Sequence, residues 1–212
     1  EVLKEQGYTT GAFGKWGLGM AETEGSPLNQ GFDYFFGFLC QRYAHRYYPT
    51  YLWENNQKYP LPGNDWTEMV TYSPDVIQKK TLQFIRDNKD KPFFAYVPHI
   101  IPHAEIIAPK DSFYNLYQGK FEETPWYGNE GGWMANDYGA AKFEVKYYAS
   151  QQEPRTVFAA MVSRLDHHVG EIMALLKELG IDKNTLVIFT SDNGPHKEGG
   201  ADPDFFSSNG GL

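Results

Sequence analysis

Hydrophobic positions along this 212-residue chain fall into two kinds of run. Residues 8–13 (YTTGAF), 93–97 (FFAYV) and 186–190 (LVIFT) are short β-branched and aromatic stretches bounded by turn residues, and they predict buried strands. Between them the period changes to that of a helix. Ile77, Thr81, Phe84 and Ile85 mark one helical face. It starts at Ser73-Pro74-Asp75, with Ser as N-cap, Pro in the first turn and an acid near the positive end of the dipole, and it ends before Pro92. Phe158, Met161, Val162, Leu165, Val169, Ile172, Met173, Leu176 and Leu179 keep the i, i+3, i+4 pattern over the longest predicted helix. Pro154 stands ahead of it, Gly180 closes it, and Glu171 and Glu178 lie on its polar side. A short helix is expected before Gly7. Alternating helix and strand signals predict an α/β fold with parallel pairing. Residues 22–63, rich in Pro, Asn, Gly and aromatics, are expected to be mostly loop. Residues 104–152 are aperiodic and long for a loop; a lid or specificity loop and a plain surface insertion both fit.

Each predicted strand runs into polar chemistry. The last one empties into Ser191-Asp192-Asn193-Gly194-Pro195-His196. In open α/β sheets ligands bind outside the carboxyl ends of strands. There, Asp192 and Asn193 offer the carboxylate and amide oxygens that a hard cation takes; Asp-Asn-Gly is equally a common turn. The first strand leads to Gly14-Lys15-Trp16-Gly17-Leu18-Gly19, and the middle one to Ile101-Pro102-His103-Ala104-Glu105.

In this order and spacing the three segments resemble the sulfatases of the alkaline-phosphatase superfamily. That family writes them G-Y-x-T-x-x-x-G-K-W-x-L-G, then P-F-F-x-Y followed by Pro-His, then T-x-S-D-N-G. Leu3-Lys4-Glu5-Gln6-Gly7 and Gln30-Gly31-Phe32-Asp33 match as well, so the resemblance covers essentially residues 1–212. It implies part of an alkaline-phosphatase-like three-layer sandwich with a mostly parallel central sheet. It also implies a partial catalytic domain of a sulfuric-ester hydrolase, cleaving aryl or glycan sulfates through a formylglycine nucleophile. By resemblance Lys15 contacts sulfate and nucleophile, and His103 contacts sulfate and helps protonate the leaving group. Asp192 and Asn193 would be Ca²⁺ ligands. His99 competes with His103, because Val97-Pro98-His99 is also a Pro-His, but the family register favours His103. His196 is placed to reach substrate or to sit on the rim. Where many sulfatases carry His, this chain has Gly17; His45, in an aromatic loop, is a candidate substitute or a plain surface residue. Asp166, His167 and His168 are adjacent on a helix and point in different directions, so they are read as structural or solvated. A phosphomonoester or phosphonate hydrolase of the same superfamily, and an inactive sugar-binding relative, are the alternatives.

The C/S-x-P-x-R motif that yields formylglycine does not occur in the sequence, nor does the Asp pair that completes the metal site. The chain is therefore expected to be an internal piece of a longer enzyme, inactive alone. Cys40, the single cysteine, is assigned to packing. A net charge of −8 without a basic run makes nucleic acid an unsuited partner, and leaves local cationic groups to bind a sulfate ester. No apolar stretch reaches membrane-spanning length. Periplasm, cell exterior or lysosome is implied by the family alone. Oligomeric state is not encoded in any motif.

Overall fold

The computed structural model describes residues 1–128, 137–141, 143 and 148–210. The chain divides into two compact units, Glu1–Ile100 with His168–Lys183, and Ile101–His167 with Asn184–Leu212.

The first unit is built on a five-stranded sheet of order β4-β3-β2-β1-β5. After the short helix α1 (Val2–Glu5), β1 (Thr9–Lys15) pairs in parallel with β2 (Tyr34–Phe38) on one side and β5 (Phe93–Tyr96) on the other. The hairpin β3 (Tyr51–Glu54) and β4 (Gln57–Pro60) extends the sheet antiparallel from β2. The sheet core is thus parallel, with an antiparallel edge. β1 is buried along its interior on both faces, as a central parallel strand requires. On one face Phe13 meets Phe84 of α2 (Ser73–Asn88) at a ring separation of 5.2 Å. On the other, Ala12, Phe35 and Leu39 pack with Trp16, Phe32 and Trp53. The Gly31-Phe32-Asp33 segment pins the strand starts. Thr10 donates its amide to Asp33 Oδ2 (2.9 Å) and its hydroxyl to the Gly31 carbonyl (2.8 Å). The end of the long helix α4 (Pro154–Glu178) adds Leu175 and Leu176 against Ile85.

Several expectations change. Residues 22–63 are mostly loop, as expected, but they also hold three strands, β2 to β4. Tyr34–Phe38 is aromatic at four of its five positions and buried along most of its length, so it lacks the alternation that flags a half-exposed strand. Ser73 is not a side-chain cap: its hydroxyl donates to the Tyr47 carbonyl at 2.8 Å, and Tyr72 takes the cap position. Cys40 is exposed rather than packed, because the chain bends outward after Leu39. Residues 186–190 form no strand. No edge pairs with them among the described residues, and Leu186, Ile188 and Phe189 are 86%, 77% and 68% exposed.

The second unit contains α3 (Ser112–Asn115), capped by Asp111, and the first part of α4. Arg164 pairs with Asp111 and lies 4.8 Å over the Phe113 ring. Phe121, Phe158, Phe205 and Phe206 pack together, and Arg155 holds Asp202 at 2.7 Å. Part of the long aperiodic stretch 104–152 lies outside the described residues. Among the described residues no helix is long and apolar enough to cross a membrane.

Candidate active site

The predicted site residues divide between the units: Lys15 and His45 in the first, His103, Asp192, Asn193 and His196 in the second. Lys15 is the last residue of β1 and half-buried. Its delivery there depends on glycine. A Cβ on Gly14, at φ +137°, would stand 2.0 Å from the Pro98 carbonyl oxygen. With no side chain at 14, the 97–100 segment closes onto the strand end, and the Lys15 amide donates to the Pro98 carbonyl at 3.1 Å. Gly37 approaches Gly14 as closely from β2. Glycine at position 14 is therefore a backbone-packing requirement of the strand end.

Gly17 has φ +77°. The left-handed region disfavours a histidine at this position by about 1–2 kcal/mol, so the chain's departure from G-K-W-H is matched by its backbone. His45 ends a 3₁₀ turn, Tyr43–His45. The aromatics around it pack on one another: Tyr43 lies 5.1 Å from Tyr51 and 5.6 Å from Trp66. The buried Tyr47 donates its hydroxyl to the Ile100 carbonyl at 2.9 Å. These rings anchor the loop.

In the second unit the structure brings His103 and His196 together, with ring centroids 4.7 Å apart and planes 23° apart. Their tautomers follow from their neighbours. His103 Nδ1 faces the Ala104 carbonyl at 2.8 Å. An oxygen acceptor there requires Nδ1–H. His196 Nδ1 accepts the Glu198 amide at 3.1 Å, so in the neutral ring the proton sits on Nε2. Burial, and then the charge of His103, hold the His196 pKa below its ordinary value.

Tyr148, its ring 6.4 Å from that of His103, donates its hydroxyl to the Glu198 carboxylate. Burial and this bond raise its pKa. Gly199, at φ +64°, seats this turn against the His103 loop, since a Cβ there would lie 2.7 Å from Ala104 Cβ. Sequence reasoning missed Tyr148 and Glu198. The Glu198-Gly199-Gly200 turn, starting two residues after His196, was a signal for the second; nothing flagged the first.

Asp192 and Asn193 lie on an exposed turn. Asn193 Nδ2 donates to the Gly194 carbonyl at 2.8 Å, leaving Oδ1 as its acceptor. A carboxylate and an amide oxygen suit a hard cation, but two residues fall short of the six to eight oxygens Ca²⁺ prefers. Among the described residues no group of three or more His, Cys, Asp or Glu is gathered to hold a metal.

Comparison with known proteins resolves the class. The sulfatase family profile matches residues 1–210. The arylsulfatase of Klebsiella aerogenes is 26% identical over 92% of this chain and 46% of its own length. The N-acetylgalactosamine-6-sulfatase of Rattus norvegicus is 32% identical over 97% of this chain and 35% of its own. Among solved structures, Ps i-CgsB in complex with k-i-k-neocarrahexaose superposes with a TM-score of 0.69 at 25% identity, over 95% of this chain and 41% of that one. The chain belongs to the sulfatase family and shares its alkaline-phosphatase-like α/β fold. It spans less than half the length of these relatives.

Proposed function

We propose that this chain is part of a hydrolase of sulfate monoesters, aryl sulfates or sulfated glycans, working outside the cytoplasm. The observation that carries the reading is the sulfatase match over residues 1–210. The relatives named arylsulfatase and N-acetylgalactosamine-6-sulfatase support both substrate classes. Formylglycine, contributed by residues outside this chain, supplies the nucleophile in this reading. Asp192 and Asn193 would hold part of a Ca²⁺ site that offsets the charge of the sulfate oxygens. Lys15 places an ammonium at the end of β1 against a non-bridging sulfate oxygen. His103, its Nδ1–H engaged by the Ala104 carbonyl, presents Nε2–H to the leaving oxygen as general acid. Neutral His196 contacts substrate beside it. His45 is assigned a place at the substrate margin.

The test is turnover by the full-length protein. p-Nitrophenyl sulfate should be hydrolysed in preference to p-nitrophenyl phosphate, and Lys15→Ala or His103→Ala should each lower kcat/KM by about 10²–10⁴-fold. Preference for the phosphate would move the reading to phosphoryl chemistry. Saturable binding without turnover would make the protein a binding relative.

A further inference from the structure

Two histidines that stand outside this chemistry meet in the first unit. The rings of His99 and His168 lie 6.2 Å apart, with planes 30° apart. His168, on α4, is buried, and it is held from α2 by ring and backbone. Its Nε2 faces Asp75 Oδ1 at 3.2 Å. Its carbonyl accepts from Gln78 Nε2 at 2.9 Å, and the same amide reaches Glu171 at 3.0 Å. His168 is therefore a fixed surface against which another ring can rest.

His99 sits in the short connection after β5, whose neighbouring carbonyls are both occupied. The Pro98 carbonyl accepts the Lys15 amide at 3.1 Å, and the Ile100 carbonyl accepts the Tyr47 hydroxyl at 2.9 Å. The Pro98 carbonyl and the His99 amide belong to one planar peptide unit. The same His99 amide donates to the Val97 carbonyl at 2.9 Å. Rotation of His99 about its backbone thus swings the oxygen that holds Lys15. A ring seated on His168 resists that rotation.

We propose that Asp75, His168 and His99 are positioning residues for Lys15, aligning through the Pro98–His99 peptide the strand end that carries the ammonium. The proposal rests on the role given to Lys15 above, but its geometry is testable without turnover. Full-length protein labelled with ¹⁵N-lysine and ¹⁵N-phenylalanine reports amide exchange at Lys15 and at Phe35. The Phe35 amide donates to Asn55 Oδ1 at 2.9 Å elsewhere in the same sheet. His99→Ala and His168→Ala should each speed Lys15 exchange about tenfold or more while Phe35 keeps its wild-type rate. His99→Phe, which keeps a flat ring, should restore Lys15 protection. The proposal is overturned by Lys15 exchange unchanged in His99→Ala, by Lys15 and Phe35 accelerating together, or by His99→Phe matching His99→Ala. His99→Ala should also lower kcat/KM for p-nitrophenyl sulfate. A wild-type protein that hydrolyses no sulfate ester would sink the sulfatase reading and leave the exchange result standing.

Discussion

At the scale of single residues, the histidines divide by environment. His103 faces a carbonyl that fixes its tautomer, while His99 is held neutral. Burial, and then the neighbouring His168, press the His99 pKa from 6.5 to about 4. The sign follows from linkage. With the folded pKa below the unfolded one, the unfolded chain binds more protons between pH 6.5 and about 4, so stability falls as pH drops through that window. His196, also held below its ordinary value, acts in the same direction. The His99 part amounts to about 3–4 kcal/mol when fully developed. Urea denaturation at pH 7 and pH 4.5 should show this loss in the wild type and a smaller one in His99→Phe. Identical losses in both proteins would exclude His99 as the source. Three of the motifs stand out along the chain, at Lys15, His103 and Asp192-Asn193-Gly194, because each follows an apolar run in the sequence. Tyr148 does not, because a tyrosine brought to His103 from a long irregular segment leaves no periodic trace.

At the scale of elements, the C-terminal end of β1 is the most constrained place in the first unit. Gly14 and Gly37 let three backbones approach where any Cβ would overlap a carbonyl oxygen at 2.0 Å. Gly14→Ala should destabilise the protein by about 3 kcal/mol or more, since neither the strand nor the Pro98 carbonyl has room to shift. A thermal melt reads this directly, and a melting temperature within two degrees of wild type would contradict it (about 1 kcal/mol shifts it by several degrees in a small domain). The two regular helices were legible from their spacing, as were β1 and β5 from their bounded apolar runs. The β3–β4 hairpin was hidden although it carries a local signal. Its two-residue turn is Asn55-Asn56, with Asn55 at φ +55°, the left-handed conformation hairpin turns favour. The aromatic richness of the surrounding loops masked it.

At the scale of the whole molecule, the described surface carries an unusual exposure. Residues 186–189 are apolar, extended from a polar turn, and mostly open to solvent. Such a stretch is aggregation-prone. The isolated 212-residue chain should therefore bind the dye ANS, and Ile188→Lys should reduce both dye binding and sedimenting aggregate. Dye fluorescence at the level of a well-packed control protein would refute this. The fold class was legible because periodicity and strand-bounding glycines act locally. The family was legible because its motifs are short and ordered along the chain. Tertiary structure alone decided which face each strand buries and that 186–190 pair with no strand among the described residues. It also decided that His103 rests on His196 while His99 rests on His168. These outcomes depend on contacts between residues tens of positions apart, and a pattern read along the chain carries no information about which distant partner arrives.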